Sequence, residues 1–158
     1  MRMDTFEQER MQSTWENFVD IDLSESGVYP VKLKELQEMG LDLEKFAETP
    51  LKYIQSNGTP ELRELITQYY PGTNIDQVEV MNGTSEANFI VCHTVTEKGD
   101  KVGIQYPNYL QVDTVARSFG AEVIPFRLNF NDTWEPDWDD FDQAISQKIK
   151  MLYVTNPN

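Results

Sequence analysis

Val102-Gly103-Ile104-Gln105-Tyr106-Pro107-Asn108-Tyr109 is the stretch whose reading decides the fold. A short run containing β-branched residues stops at an aromatic residue and a proline, as a buried strand does when it reaches a turn. Apolar runs of the same kind recur at Val78-Glu79-Val80-Met81, Val123-Ile124 and Met151-Leu152-Tyr153-Val154. Helical stretches at about 85–97, 108–119 and 139–148 separate them in turn. Strand, helix, strand alternation is the pattern of βαβ units on a mostly parallel sheet, so the expected class is α/β.

Toward the N-terminus the regular order fades. A helix is expected at about 60–70, opened by Pro60 with Glu61 in its first turn and closed by the Pro71-Gly72 turn. Residues 1–50 are acidic and helix-leaning, with apolar residues at helical spacing in Asp4 to Val19 (Phe6, Met11, Trp15, Phe18) and in Val31 to Met39 (Leu33, Leu36). Between them, Gly27 and Pro30 break both periods. No internal repeat or low-complexity tract is present.

The chain of 158 residues is long enough to bury a core, and 39% hydrophobic with 25% charged residues is the composition of a soluble globule. No apolar run approaches the roughly 20 residues of a membrane helix, and the charged N-terminus lacks the pattern of a secretory leader. One cysteine, Cys92, makes no internal disulfide, and one histidine, His93, makes no zinc site with it alone. A cytoplasmic, metal-free protein is expected. The formal net charge of −14 repels nucleic acid and anionic lipid, so neither is expected as a partner. An anionic ligand then has to be held by local geometry. The acidic run Asp132, Glu135, Asp137, Asp139, Asp140, Asp142 lacks the glycine and oxygen spacing of an EF-hand and reads as a solvated loop charging a helix N-terminus.

Three motifs fall just beyond strand carboxyl ends, where open α/β sheets bind ligands. In Asn82-Gly83-Thr84-Ser85-Glu86-Ala87, Gly83 permits a tight turn, Thr84 and Ser85 can cap the next helix, and the first-turn N–H groups form an anion site. The alternative is an ordinary capped helix start. In Tyr106-Pro107-Asn108-Tyr109 an aromatic ring on a proline-stiffened turn can lie against a planar ligand, or the two tyrosines can simply cover the core. Thr155-Asn156-Pro157-Asn158 reads by itself as an Asn-Pro turn.

In this order and spacing the motifs resemble the N-terminal part of the class I/II aminotransferases, which are fold type I pyridoxal 5′-phosphate enzymes. Tyr53 with Gly58-Thr59-Pro60-Glu61-Leu62-Arg63 is similar to the family's Tyr-x4-Gly-x3-Leu-Arg segment, and Asn82 to Ala87 to its phosphate-cup turn. Gly99-Asp100-Lys101-Val102 is similar to its Gly-Asp-x-Val turn, Tyr106 to Tyr109 to its Pro-x-Tyr ring-stacking turn, and Thr155 to Asn158 to the opening of Asn-Pro-Asn-Asn-Pro-Thr-Gly. The resemblance implies the N-terminal part of a mostly parallel α/β/α sandwich preceded by a helical arm. It implies an arm and small-domain segment over 1–50, and an incomplete large cofactor-binding domain over 51–158.

Carried over residue by residue, the resemblance implies that Gly83, Thr84 and Ser85 hold the cofactor phosphate and that Tyr109 stacks on the pyridine ring. It implies that Tyr53 reaches the phosphate of the partner subunit's cofactor, hence a homodimer. Gly27 resembles the backbone position near the substrate carboxylate, although Ser24-Glu25-Ser26-Gly27 departs from the usual Gly-x-Pro. The Schiff-base lysine is expected beyond Asn158, as are the aspartate at the pyridine nitrogen and the arginine for the substrate carboxylate. No catalytic residue is therefore assigned within 1–158, and none of the eight lysines lies in a Ser-x-x-Lys motif.

The implied activity is that of a transaminase moving an amino group between small amino acid and 2-oxo acid substrates, with this chain alone an inactive fragment. A pyridoxal phosphate lyase, decarboxylase or cyclase of the same fold is the alternative, as is a non-catalytic truncated module. His93 and Cys92 are expected in packing or on a helix surface, and Trp15 as a packing anchor of the arm. Arg63 is expected to tie helix to loop.

Overall fold

A computed structural model describes residues 3–25, 27–131 and 134–158, so Ser26 and Asp132 of the motifs above lie outside the described residues. The elements are α1 (Glu7–Trp15), α2 (Leu33–Glu38), α3 (Leu43–Ala47), α4 (Pro60–Thr67), a 3₁₀ turn (Ile75–Gln77), α5 (Thr84–Val95), β1 (Lys101–Tyr106), α6 (Gln111–Ser118), β2 (Glu122–Arg127), α7 (Trp138–Ser146) and β3 (Met151–Tyr153). They fall into two compact units, Met1–Phe18 with Met81–Asn158, and Val19–Val80.

The sheet of the first unit is parallel, in the order β2-β1-β3. Val102 pairs with Val123 and Met151, and Ile104 with Pro125 and Tyr153. Side-chain alternation divides the core between the two faces of the sheet. Val102, Ile104 and Val123 pack with Cys92 of α5 and with Val112, Val115 and Ala116 of α6. Ile124 and Phe126 turn the other way, onto Ala144 and Phe141 of α7. Helices therefore cover both faces, as a parallel sheet requires. Gly103 admits the α7 side: a Cβ there would lie 2.7 Å from Ile149 Cδ1. Cys92 is fully buried, and burial raises its thiol pKa.

The start of β1 is anchored by its Gly-Asp turn. Gly99 N–H donates to Gly120 O at 2.9 Å and Glu122 N–H to Asp100 O at 2.8 Å. The Asp100 carboxylate accepts from Glu97 N–H (2.7 Å) and Lys150 Nζ (2.9 Å), and the lysine bond holds its pKa below the usual range. At the other end of the acidic loop, Asp137 caps α7 by accepting from Asp140 N–H at 3.1 Å, and Asp140 pairs with Arg127 at 2.9 Å. The acidic run thus charges a helix start, as expected.

In the second unit Thr59 caps α4 by accepting from Leu62 N–H at 3.3 Å, and Pro60 takes the first helical position. Gly58 is required twice over, with φ +96° and a would-be Cβ 2.6 Å from Val80 Cγ2. Arg63 donates to Val78 O (2.9 Å) and Ile75 O (2.6 Å), so it ties helix to loop as expected.

Three expectations change. Val78–Met81 is extended, but it is not a paired strand among the described residues: Val78 O is taken by Arg63, and Val80 N–H by Asn57 O at 3.1 Å. An additional helix, α3, forms where Asp42 accepts from Lys45 N–H at 3.0 Å. Trp15, expected to anchor the arm, is 57% exposed at the end of α1. No helix of the described residues is long and apolar enough to cross a membrane.

Candidate functional site

Beyond the carboxyl ends of β1 and β3, two of the motifs meet. Asn108 Oδ1 accepts from Tyr109 N–H and from Thr155 Oγ1, both at 2.7 Å. Asn158 Nδ2 donates to Pro107 O at 2.8 Å. Because Tyr109 N–H can only donate, it fixes the Asn108 amide with its oxygen inward. Asn108 Nδ2 is then a buried donor with no partner among the described residues. Buried polar groups are satisfied in native proteins, so this one implies an acceptor from water, a ligand or further protein.

The third motif opens α5. Gly83 is its N-cap at φ +88°, a conformation that only glycine adopts freely, and no side chain caps the helix. The expected capping by Thr84 and Ser85 is thus corrected: both are inside the first turn, and the glycine that lets the chain turn offers no oxygen. The first intrahelical bond runs from Ala87 N–H to Gly83 O at 3.2 Å. The N–H groups of Thr84, Ser85 and Glu86 precede it, at the positive end of the helix. Glu86 turns its carboxylate back to Asn82 N–H at 2.5 Å.

Gln111 joins this turn to the ring motif, donating from Nε2 to Ser85 O at 2.8 Å and accepting at Oε1 from Asn88 Nδ2 at 3.2 Å. Tyr109 is half-buried. Its hydroxyl donates to Glu9 of α1 at 3.0 Å, and its ring meets Phe6 edge-on at 5.0 Å. Burial raises the Tyr109 phenol, the Ser85 side chain opposes that shift, and Glu9 adds to it. Tyr106 plays the bland role weighed for it: it packs against the core and donates to Asp113 at 2.7 Å, and burial followed by Asp113 pushes its pKa up to about 12.

Gly83, Thr84, Ser85 and Tyr109 thus lie in one unit and are linked through Gln111. Tyr53 and Gly27 belong to the other unit. Tyr53 is fully exposed and lines an open groove of about 560 Å³ with Lys52, Ile54, Gln55, Thr59, Pro60 and Glu61. Gly27 N–H donates to the Glu25 carboxylate. His93 lies on the α5 surface against Phe89 and Phe119, within the packing role expected. Sequence reasoning missed Asn108, Gln111, Asn88 and Glu9. The only signal was their place within or beside the motifs and helices, since no local pattern encodes contacts across 23 to 100 residues.

The donor set suits a planar ligand carrying an anionic group: first-turn N–H groups, hydroxyls at Thr84 and Ser85, an aromatic ring and the unpaired amide of Asn108. The family model of aminotransferase class I and II matches residues 16–158. A dihydroxyacetone phosphate transaminase of Campylobacter jejuni is 34% identical over 98 residues, which are 61% of this chain and 26% of that protein. A pyridoxal phosphate-dependent aminotransferase of Streptococcus suis superposes with TM-score 0.86 at 29% identity over 96% of this chain and 42% of its own. The pyridoxal phosphate-dependent cyclase OrfR superposes with TM-score 0.85 at 23% identity, over 100% of this chain and 42% of that one, a likeness of fold. The chain therefore spans less than half the length of these relatives.

Proposed function

The chain belongs to the class I and II aminotransferases, a pyridoxal phosphate-dependent family, and on that premise we propose that the intact protein transfers an amino group between an amino acid and a 2-oxo acid. The observation that carries the reading is the linked pair of an anion-ready helix start and a ring at the carboxyl edge of β1 and β3. Gly83, Thr84 and Ser85 would hold the phosphate, and Tyr109 would face the pyridine ring. When bound, the cofactor supplies the electron sink for bond-breaking at the amino acid substrate.

The contributions of this chain are binding and orientation. The turn at Gly83 brings bare N–H groups to the anion, and these act at full strength because the helix axis is aligned behind them. Glu86, tied to Asn82 N–H, keeps its charge engaged with the preceding backbone. The Tyr109 ring limits tilt of a planar ligand. Tyr53 and Gly27 are proposed for the partner subunit's cofactor phosphate and for the substrate carboxylate, in a cytoplasmic homodimer with a biosynthetic role. The domain division at residue 50 belongs to the same proposal.

A second reading, a cyclase or lyase of this fold, is supported by the likeness to OrfR. One experiment separates them. The intact protein is loaded with pyridoxal 5′-phosphate and given amino acids with and without a 2-oxo acid, and the nitrogen is followed. Transfer of nitrogen to the 2-oxo acid is expected. Consumption of the amino acid that does not depend on the acceptor would favour the second reading, and failure to bind the cofactor would refute both.

A further inference from the structure

We propose that Gln111 is a positioning residue for the phosphate end of the site, its side-chain amide bracing the first turn of α5 against the start of α6. The proposal rests on the cofactor reading above and adds a residue that reading does not assign. Both ends of the Gln111 amide are used, and both partners lie on α5: Nε2 donates to Ser85 O at 2.8 Å and Oε1 accepts from Asn88 Nδ2 at 3.2 Å. A carbonyl can only accept, so Ser85 fixes which way the amide faces.

The physical consequence lies in the peptide that Ser85 O belongs to. Its other half is Glu86 N–H, one of the first-turn donors ahead of the first intrahelical bond. A bond received at the carbonyl polarises the amide and makes its N–H a stronger donor, so Gln111 strengthens the anion end without touching the anion. The brace is also needed mechanically. Gly83 supplies no capping side chain, so the first turn of α5 is held by Glu86 reaching back to Asn82 and by Gln111 reaching across from α6. Gln111 lies two residues beyond Tyr109, and the Ser85 side chain itself interacts with the Tyr109 phenol. Gln111 thus holds Ser85 by its carbonyl from a position two residues beyond Tyr109, which ties the phosphate turn to the segment that carries the stacking ring.

The test compares two ligands that differ only in the phosphate. Dissociation constants for pyridoxal 5′-phosphate and pyridoxal are measured on the intact protein, as wild type, Gln111→Met, Gln111→Glu and Asn88→Ala. Met keeps the length and removes both hydrogen bonds. It should weaken pyridoxal 5′-phosphate about fivefold, the worth of roughly one hydrogen bond, and leave pyridoxal within about twofold. Glu, which sets a carboxylate against Ser85 O, should weaken the phosphate ligand further. Asn88→Ala frees only the Oε1 end and should give a smaller loss with the same selectivity, and it carries the test should the Gln111 variants fail to fold. Equal weakening of both ligands, or none, would overturn the role of Gln111 while leaving the cofactor reading intact. A wild type that binds the two ligands equally would overturn the phosphate turn and this proposal together.

Discussion

The two ends of β1 use polar residues in opposite ways. At its start, Asp100 Oδ2 accepts from both Glu97 N–H and Lys150 Nζ, and Gly99 and Asp100 exchange backbone bonds with the edge of β2. At its finish, Asn108 keeps an unpaired buried donor, and the nearby helix start has no capping side chain. One end ties its carboxylate to a backbone N–H and a lysine, and the other keeps donors without a partner among the described residues. The difference teaches which end is built for stability and which for a ligand, and it agrees with the rule that open parallel sheets bind at their carboxyl edge. In the proposed site, a chain of net charge −14 would hold an anion through the positive potential of backbone N–H groups at one helix end.

Substitutions can break or sharpen that contrast. The largest effect is expected midway between the ends. Ile104 is fully buried, and Ile104→Ala should cost about 2–5 kcal/mol of stability in denaturant unfolding, disabling both ends at once. A loss under about 1 kcal/mol would mean that the sheet core is not packed as described.

Next comes Tyr109→Ala, which should weaken cofactor binding by on the order of tenfold with little change in stability, since a stacking face contributes about 1 kcal/mol beyond burial. Tyr109→Phe should be nearly silent for the cofactor, because the ring is kept and only the hydroxyl's contacts with Glu9 and the Ser85 side chain are lost. Cofactor titration of the three proteins checks this, and an unchanged Ala variant would remove the ring from the site.

Smaller still is the alkaline effect of Tyr106. Its pKa is raised in the folded state to about 12, so the folded form holds its proton more tightly than the unfolded chain does. The stability it contributes is fully present below the ordinary tyrosine range and is lost as pH rises toward about 12. Urea unfolding across that window should fall more steeply for the wild type than for Tyr106→Phe. Parallel curves would show that the Tyr106 phenol is neither buried nor bonded to Asp113 as described.

The smallest effect belongs to the exposed Asp100–Lys150 pair. The Asp100 pKa is lowered, so its contribution is present above the carboxylate range and lost as pH falls through it. Asp100→Asn should flatten that acid dependence slightly and leave cofactor affinity unchanged. A loss of affinity there would erase the contrast between the two ends.

How much of this was legible in the chain differs by element. The β1, β2 and β3 segments and the helices between them follow from apolar runs bounded by turn residues, which are local signals. Val78–Met81 carries the same signal and pairs with no strand among the described residues, because its polar groups are taken by Arg63 and Asn57, partners that composition does not reveal. Helix α3 spans five residues, too few to show a period. Gly83 and Tyr109 were visible as motif residues. The links that join them, Ser85 to Gln111 and Asn108 to Thr155, depend on how separate elements align, and no spacing along the chain encodes that alignment.

The central claim, that the bare first turn of α5 is the anion end of a cofactor site, is tested most directly at Ser85. Proline there removes a backbone donor that makes no intrahelical bond, along with the hydroxyl, whereas alanine removes only the hydroxyl. Dissociation constants for pyridoxal 5′-phosphate, measured on the intact protein as wild type, Ser85→Ala and Ser85→Pro with unfolding midpoints alongside, should show a loss for proline about tenfold or more and for alanine only a few-fold. Equal losses would assign the binding to the hydroxyl, and no loss for proline would contradict the account.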